Sequence, residues 1–598
     1  MISQLTTIDF IVLIASLLFL VAASAFAGRK KKDSEDYFMA GRSLRWWSVA
    51  GSIYGTNIHA QQIIGMLGIG YSIGFAQSHY EVLAVPAILI LCYLFIPIYR
   101  KRSVFTLSQF LEHRYNEQAR LAYTVLIVAF IVIQLIAGFY IGSRTLGLLF
   151  QGSSFEISYL QGILLIAGVT VLFTVYGGMD SVVVADNILT VLMIFTVLIV
   201  GVMTLTQPEI KGIDGLLALD HAQPADQQKM HLYLPADHPR LPWLGIFTGL
   251  NILHCFYWTT NQYQVQRVLA AASDRDAQLG TIAAGFLKLS IPFFSIASGV
   301  AAYYIFNHRF GAGSVKPDDA FLKLMATVVP SGYGIIGLTL AGLTCAIFSA
   351  IYSMMNSVTT LLAFDIYRKY LNRRASDRQT VQFGRLSAVA ICAVATVLTL
   401  WTYDPASSDN FFLQLADQTS YIKPSLVAVF FVGILYAGAH PRAAVIAMLA
   451  GPVFGLLADL LYNHVLATIP AVRDLFGARL NFLYRVFIIC TCCTLLLLGL
   501  SRRWKQGGPV KAPDLVLSAP GLARWIWIFL GLEGLLIVGV LTGLLRPQTA
   551  AWPGALIPMA LFLSAYARKP AGGSLLASDL FYAGLLSSVT VWILFFFA

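Results

Sequence analysis

Charged residues are scarce in this chain. Of its 598 residues, 12% are Asp, Glu, Lys or Arg and 58% are hydrophobic. Soluble domains carry roughly 25% charged residues, about twice this share. So little charge excludes an ordinary soluble protein of this size. We therefore expect an all-α polytopic membrane protein, built as one continuous helical bundle rather than as separate soluble domains.

Exposed cysteines and enzyme motifs are lacking as well. All seven cysteines fall in apolar runs, so no external pair is available for a structural disulfide and buried thiols are expected. Cys490, Cys492 and Cys493 crowd one run, without a histidine or further cysteine at ligand spacing. The sequence has no nucleotide-binding glycine loop, no nucleophile elbow and no HExxH helix. An enzyme is not expected.

Long apolar runs are abundant. About sixteen of them reach the ~17–25 residues that a helix needs to cross a bilayer. The first, Ile8 to Ala27, lacks a basic segment before it and is followed by Arg29 to Lys32, so we expect a retained helix with its N-terminus outside. The sixteen runs begin near residues 7, 46, 79, 119, 157, 180, 243, 278, 332, 380, 411, 442, 479, 523, 552 and 578.

If each run crosses the membrane, the connecting loops lie alternately inside and outside, and the distribution of basic residues agrees with this arrangement. Starting from outside, the predicted inner loops hold most of the Lys and Arg, as the positive-inside rule requires, which accounts for the net charge of +11. A nucleic-acid patch is the weaker interpretation, because these residues are spread along one membrane face. The longest outer segment, 207–242, is predicted to carry a short surface helix. The inner loops are 28–45, 99–118, 268–277, 368–379, 439–442, 501–523 and 567–577.

Two charges lie inside apolar runs. Lys288 is the only charged residue between Leu279 and Phe306, and Glu81 opens another apolar run. A charge at the centre of a membrane helix costs at least ~2.5–3.5 kcal/mol on insertion scales. Such residues usually face a cavity, pair with an opposite charge or bind a substrate.

Two other runs are interrupted by polar residues. The run over 46–71 contains Asn57, His59, Gln61 and Gln62, and the run from about residue 242 contains His254, Asn261 and Gln262 among others. They are the second and seventh runs, five apart. Interrupted helices at matching positions of two halves indicate an inverted-repeat transporter with its site at the midplane, although a channel or receptor would also carry polar bundle contacts. The expected organisation is 1–34 (extra helix and basic loop), 35–206 (first five-helix repeat), 207–242 (external loop), 243–438 (second repeat) and 439–598 (additional helices).

A polar stripe marks the ninth run. Ser349, Ser353, Asn356, Ser357 and Thr360 recur at three- and four-residue steps and so share one helix face. Hydroxyls and free carbonyls are ligands that a hard cation such as sodium prefers. Packing between helices through small polar residues is the alternative.

Several long motifs resemble the sodium/solute symporter family, most closely its sodium/glucose and sodium/galactose branch. They are FMAGRSLRWWSVAGSIYGTNIHAQQIIGM (38–66), VYGGMDSVVVADNILT (175–190), FYWTTNQYQVQRVLAA (256–271) and SAIYSMMNSVTTLLAFDIYRKY (349–370). The similarity covers about residues 34 to 460. It implies a LeuT-type five-plus-five inverted repeat preceded by one extra helix. About two more C-terminal helices than the family has are expected here.

The resemblance also implies a cation site. Its ligands would be carbonyls of Gly55, Ile58 and Ala346 and the hydroxyl of Ser349. The family's second hydroxyl position is Ala350, so sodium coupling is the expectation, while proton-coupled or uncoupled transport remains open. Asp186 matches an acidic residue tied to a cation route, and a structural helix cap is the alternative.

The implied substrate site has matches and departures. Gln62, Glu81 and Lys288 stand where the sugar branch binds hydroxyls, and a purely structural Glu81–Lys288 ion pair is the alternative. Three positions depart: His254, Ala84 and Ala416, the last of which Gln414 and Gln418 would compensate. His254 would donate to a hydroxyl or carboxylate, or be an ordinary core histidine. The implied inner gate is Tyr257 and Trp258, with Asn57 holding the Tyr257 hydroxyl, and the outer gate is Met66, Tyr80 and Phe412.

Together these features predict a cation-coupled symporter of a sugar, polyol or sugar derivative that works by alternating access, and the resemblance implies that the cation is sodium. The same fold carrying an amino acid, an organic acid or a sialic-acid-like compound is the second hypothesis, and a transport-like sensor is a remote third. The expected partners are the solute, sodium or a proton, and the lipid bilayer. No cofactor and no nucleic acid is expected. Short tails and the lack of an N-x-S/T site in 207–242 favour a bacterial inner membrane.

Overall fold

The computed structural model describes residues 6–30, 33–57, 60–102, 104–150, 156–311, 313–402, 411–504, 522–567 and 574–598. In these ranges the chain is helical. The strand-like contacts are two isolated bridges, Leu44 with Ala271 and Leu234 with Pro242. The described part of the chain is thus all-α, as the composition predicts.

Helices account for most of the described residues. In the first half they are Thr7–Ala27, Ser34–Met39, Trp46–Asn57, Ala60–Ser72, His79–Val82, Ala84–Ile90, Ile96–Lys101, Leu107–Arg114, Glu117–Phe150, Tyr159–Leu205, Gly212–His221, Trp243–Gly245, Asn251–Cys255, Gln262–Leu269, Asp274–Lys288 and Ala297–Phe310. In the second half they are Ala320–Val328, Ile335–Leu361, Asp377–Thr402, Phe411–Thr419, Lys423–Leu435, Pro441–His464, Pro470–Phe476, Phe482–Arg503, Leu522–Leu541, Pro547–Ala567 and Asp579–Phe596. Wider π-helical turns continue several of them: Leu91–Phe95, Ile246–Leu250, Phe256–Thr260, Pro292–Ile296 and Leu362–Leu371.

Eleven helical stretches in the described ranges are long and apolar enough to cross a membrane. The remaining runs of the sequence are shorter or interrupted, such as Tyr159–Leu172 and Lys423–Leu435, so the count of sixteen is not confirmed and stays a prediction. The eleven are Thr7–Ala27, Phe75–Lys101, Glu117–Gly147, Gly177–Leu205, Asp274–Phe310, Ile335–Leu371, Asp377–Thr402, Pro441–Thr468, Phe482–Arg503, Pro547–Ala567 and Asp579–Phe596.

The second polar run is a broken helix, and the first is described as two helical stretches. These stretches are Trp46–Asn57 and Ala60–Ser72, and residues 58 and 59 between them lie outside the described ranges. Following the prediction from the sequence, we refer to the two stretches together as the first broken helix. The second broken helix runs from Trp243 to Leu269 and is interrupted at Asn261, whose backbone is extended (φ −94°, ψ 119°).

The freed backbone of the second broken helix finds partners on other helices. The hydroxyls of Tyr99 and Tyr123 donate to the carbonyls of Thr259 and Thr260, each at 2.9 Å. A membrane interior offers no water for such carbonyls, so unwound backbone there needs protein donors. Two buried tyrosines therefore stabilise the interruption.

A single kink divides the long helix Tyr159–Leu205. Gly178 has φ 58° and ψ −163°, a backbone conformation that only glycine adopts without strain. The kink lies between the predicted run starts near 157 and 180. We refer to the part after it as the Asp186 helix (Gly177–Leu205), and to Ile335–Leu361 as the Ser349 helix.

The segment 207–242 contains the helix Gly212–His221, so the predicted short helix is confirmed. Asp220 holds the segment together, because its carboxylate accepts from the backbone N–H groups of Lys229 (2.7 Å) and Met230 (3.0 Å) and from the Tyr304 hydroxyl (2.6 Å). This buried carboxylate ties the segment to the middle of the helix Ala297–Phe310.

The last helix of the chain packs back onto the core. The Asp579 carboxylate accepts from Tyr93 at 3.1 Å, and the rings of Phe75 and Phe597 lie 4.6 Å apart. The Phe597 carbonyl also accepts from the backbone of Leu232 at 3.0 Å. The helix Asp579–Phe596 is therefore integrated with the helices that carry the predicted site.

Candidate substrate and cation sites

A cavity of about 130 Å³ lies between the two broken helices. It is smaller than the roughly 300–1,000 Å³ of pockets for drug-sized ligands, which suits a small solute. Its walls combine aromatic rings with a few polar side chains. They are formed by Asn57, Gln62, Met66, Tyr80, Phe130, Gln134, Leu250, Leu253, His254, Phe256, Tyr257, Trp258, Tyr263, Lys288, Leu415, Ala416, Thr419 and Lys423.

The two buried charges of the sequence meet at this cavity. The Lys288 Nζ atom lies 2.5 Å from Glu81 Oε2 and donates to Asn57 Oδ1 at 3.0 Å. The other Glu81 oxygen accepts from Gln62 Nε2 at 2.7 Å. Glu81 reaches the site because its helical stretch begins at Phe75, about one turn before the predicted start near residue 79.

This network joins three separate elements. Asn57 and Gln62 lie on the first broken helix, Glu81 on the stretch Phe75–Lys101, and Lys288 at the end of the helix Asp274–Lys288. Glu81 is fully buried and sits behind the cavity wall, whereas Lys288, Asn57 and Gln62 line it. The opposite charges reduce each other's desolvation cost. The wall thus presents an ammonium and two amides to a bound solute.

Aromatic residues of the second broken helix form one side of the cavity. The Tyr257 ring meets Trp258 edge-on at 5.8 Å and Tyr263 edge-on at 5.9 Å. The indole Nε1 of Trp258 is buried without a hydrogen-bond partner among the described residues, and so is Nε2 of His254. A solute with hydroxyl groups would satisfy both nitrogen atoms.

Two of the three residues predicted to form the outer gate lie at the cavity. Met66 and Tyr80 line the cavity, and Met66 Sδ accepts from Gln77 Nε2 at 3.0 Å. The Phe412 side chain lies outside what the structure describes. The Tyr80 ring faces His254 edge-on at 6.3 Å.

The cavity also has residues that the sequence analysis missed. Gln134, Thr419 and Lys423 line it, whereas Gln414 and Gln418, expected to compensate for Ala416, are not among its lining residues. Lys423 carries the same signal that pointed to Lys288, a charge within an apolar run. Gln134 offers no such signal, because only packing places that face of the helix Glu117–Phe150 at the cavity.

The predicted cation residues gather around Asp186. Its fully buried carboxylate accepts from the hydroxyls of Ser52 at 2.6 Å and Thr56 at 3.2 Å, and from Ser349. The Arg267 Nη2 atom lies 3.6 Å from Asp186 Oδ2. The hydroxyl donors to Asp186 are side chains and not the backbone N–H groups that a helix cap would accept from.

The remaining predicted ligands lie close by. A Cβ at Gly55 would stand 2.6 Å from the Asp186 carbonyl, so the first broken helix touches the Asp186 helix there. Ala346, Ser349 and Ala350 are buried in the Ser349 helix. Ile58 falls outside the described residues. The cluster is rich in oxygen atoms, which are the ligands of hard cations.

Interrupted helices around a polar cavity, with an adjoining oxygen-rich cluster in an all-helical membrane bundle, define the class of secondary transporters. The family model of the sodium:solute symporter family matches residues 37–451. The chain belongs to this family, and its relatives are transporters and not enzymes. Membership supports sodium-coupled symport of a solute, with sodium as the coupling ion.

Named relatives agree with this assignment. The chain is 30% identical over 473 residues to the sodium/glucose cotransporter of Vibrio parahaemolyticus, covering 76% of this chain and 85% of the relative. It is 26% identical over 541 residues to the sodium/myo-inositol cotransporter 2 of Rattus norvegicus, covering 84% of this chain and 77% of the relative.

One solved structure is similar in fold. It is a sodium-coupled sialic acid symporter in a substrate-bound outward-open state, with a TM-score of 0.71 and 19% identity. The match covers 85% of this chain and all of that one. The LeuT-like fold expected from the motifs is thereby supported.

Proposed function

We propose that this protein couples the entry of sodium to the uptake of a sugar, polyol or sugar derivative by alternating access. The observation that carries the proposal is the network of Lys288, Glu81, Asn57 and Gln62 at the wall of the cavity between the broken helices. Similarity to sodium/glucose and sodium/myo-inositol cotransporters supports the same substrate class.

The chemistry of the wall suits a polyhydroxylated solute. Each hydroxyl group is a donor and an acceptor, so a small polyol needs both kinds of partner within a small space. Lys288 supplies donors, Gln62 and Asn57 supply amides, and His254 and Trp258 add nitrogen atoms that lack partners. The flat rings of Tyr257 and Trp258 provide a surface for the C–H face of a sugar ring.

Sodium in this proposal binds at the oxygen cluster around Asp186, between the first broken helix, the Asp186 helix and the Ser349 helix. Serine and threonine hydroxyls accept as well as donate, so Ser52, Thr56 and Ser349 can turn their lone pairs toward a cation. The Asp186 carboxylate would supply the oxygen that Ala350 lacks. Sodium there holds the outward-open form together, and release inward follows when Tyr257 moves.

The proposal includes the membrane arrangement. The repeats are 35–206 and 243–438, preceded by one helix and followed by additional helices, with sixteen spans in total and the N-terminus outside. A bacterial inner membrane is the proposed location. Accessibility of single introduced cysteines to a membrane-impermeant reagent, at Arg29 and at Asp226, tests the orientation, because only the second should react from outside.

The ion pair provides the test of function. We expect Lys288→Ala and Glu81→Ala each to abolish uptake in proteoliposomes, because the remaining charge is left buried without its partner. Breaking a buried pair costs about 3–5 kcal/mol, so both variants should also melt earlier. The measurement is sodium-driven counterflow of glucose, galactose and myo-inositol, with choline replacing sodium as the blank.

Two further variants separate a substrate role from a structural role. The double variant Glu81→Gln/Lys288→Met removes both charges, so it should recover thermal stability but not uptake. Arg309→Met breaks an ion pair with Glu209 (2.7 Å) outside the cavity and should transport normally. Normal uptake by either single alanine variant would refute the proposed substrate site.

A further inference from the structure

Lys423 is the second ammonium of the cavity. It is the first residue of the helix Lys423–Leu435, and its side chain lines the same cavity as Lys288. The helix Phe411–Thr419 ends four residues earlier, so Lys423 stands at the break between two helices. Ala416 and Thr419, which precede the break, also line the cavity.

The two ammonium groups differ in their partners. Lys288 is balanced by Glu81 at 2.5 Å. Lys423 has no carboxylate within ion-pair distance among the residues that the structure describes; its contact there is with the ring of Phe130, 5.4 Å from the ring centroid. The described wall and the Glu81 behind it therefore carry one unbalanced positive charge.

The position of Lys423 adds to this imbalance. Backbone dipoles give the N-terminus of a helix a partial positive charge, which favours anions and disfavours a lysine. The residue before Lys423, Ile422, provides no side-chain cap for the first turn. The ammonium and the helix terminus thus both place positive charge at the cavity wall.

A purely structural role for Lys423 does not explain how the cost of burying its ammonium group is met. A cation–π contact with one ring offsets only part of the cost of holding an ammonium away from water. Lys323 offers a comparison, because it makes a similar contact with the Phe310 ring at 4.6 Å but is exposed and outside the cavity. An anion bound in the cavity would complete the pairing that Lys423 lacks.

We propose that the solute is an acidic sugar, a hexuronate or aldonate, whose carboxylate pairs with Lys423 while its hydroxyls face the Lys288 network. Ala416, whose side chain is a single methyl group, lines the same cavity as Lys423. His254 Nε2, which is buried without a described partner, is a further donor on the wall. This inference rests on the proposed function and narrows its substrate class.

The test compares acidic and neutral sugars on the full-length protein. Galacturonate, glucuronate and gluconate are matched with galactose, glucose and myo-inositol in sodium-driven counterflow and in equilibrium binding to purified protein. A charge-assisted hydrogen bond should favour the best acidic sugar over its neutral counterpart by about tenfold or more. We expect Lys423→Met to remove this preference, Lys423→Arg to keep it, and Lys323→Met to leave it unchanged.

The outcomes distinguish failure of the acidic-sugar assignment from failure of the proposed sugar transport itself. Equal or better binding of the neutral sugars by the unaltered protein would overturn the carboxylate assignment and leave sugar transport standing. Binding of lactate as tightly as the acidic sugars would overturn the sugar part. If no polyhydroxylated solute is bound or transported, the proposed function fails as well. The comparison on the unaltered protein does not depend on the folding of any variant.

Discussion

At the scale of single residues, the oxygen cluster around Asp186 depends on which neighbouring side chains carry a hydroxyl group. Ser349 donates its hydroxyl to Asp186, while the next residue, Ala350, contributes only a methyl group. Two hydroxyls of the first broken helix, Ser52 and Thr56, face the same carboxylate. The cluster therefore draws its oxygen atoms from three helices, and the Ser349 helix supplies fewer than the family pattern would place there.

Ala350→Ser tests whether the missing hydroxyl at residue 350 weakens sodium binding. An added hydroxyl beside Ser349 would give the cation another oxygen ligand, and a net gain of about 1 kcal/mol corresponds to roughly fivefold tighter sodium binding. We expect the sodium concentration for half-maximal uptake to fall by that factor. Ala341→Ser, the same change elsewhere in the buried face of the Ser349 helix, should leave it unchanged. Ordinary sodium affinity in the unaltered protein together with no effect of the serine would contradict the importance of Ala350.

At the scale of elements, the contact between the first broken helix and the Asp186 helix depends on a missing side chain. A Cβ at Gly55 would lie 2.6 Å from the Asp186 carbonyl, closer than real Cβ contacts allow. The Thr190 hydroxyl also donates to the Gly51 carbonyl at 2.6 Å, one turn away along the first broken helix. The two helices are therefore packed backbone to backbone beside the cation cluster.

Gly55→Ala should separate these helices. Because a rigid backbone rather than a flexible side chain opposes the new methyl group, we expect a cost of about 1–3 kcal/mol and weaker sodium-dependent uptake. Gly168→Ala, on the helix Tyr159–Leu205, is the control, since a Cβ there meets nothing within 4 Å. The measurement is the melting temperature of the purified protein and its sodium dependence. Identical behaviour of the two variants would show that the close approach is unimportant.

At the scale of the whole molecule, Arg485 ties the helices after residue 439 to the cavity region. It lies on the helix Phe482–Arg503 and bonds to Asp459 at 2.8 Å, to Ser420 at 2.6 Å and to Asp417. Ser420 belongs to the break between Phe411–Thr419 and Lys423–Leu435. The C-terminal helices thus hold the turn from which Lys423 enters the cavity.

Arg485→Met should loosen this connection. Removing one partner of a buried ion pair costs about 3–5 kcal/mol, and the lower end applies because the Asp417 side chain is 52% exposed. We expect a lower melting temperature in detergent and weaker binding of the preferred solute. Arg473→Met, which replaces an exposed arginine on the helix Pro470–Phe476, should change neither. An unchanged melting temperature for Arg485→Met would mean that the C-terminal helices are held by other contacts.

The amino-acid sequence by itself determined the class of protein and the interruption of the second polar run, and its family motifs predicted the pairing of Lys288 with Glu81. The need of each buried charge for a partner follows from a strong local signal, because a charge or a polar cluster is costly in an apolar run. The motifs add the family, since they extend over most of the chain in order.

Only the tertiary structure decided which groups meet. It places Lys423 and Gln134 at the cavity and leaves Gln414 and Gln418 out of the lining, although all four are polar residues in apolar surroundings. It also turns the hydroxyls of Ser52, Thr56 and Ser349 toward Asp186. The physical reason is that burial and direction depend on helix packing between distant segments, whereas the cost of a buried charge is a property of the residue and its immediate run.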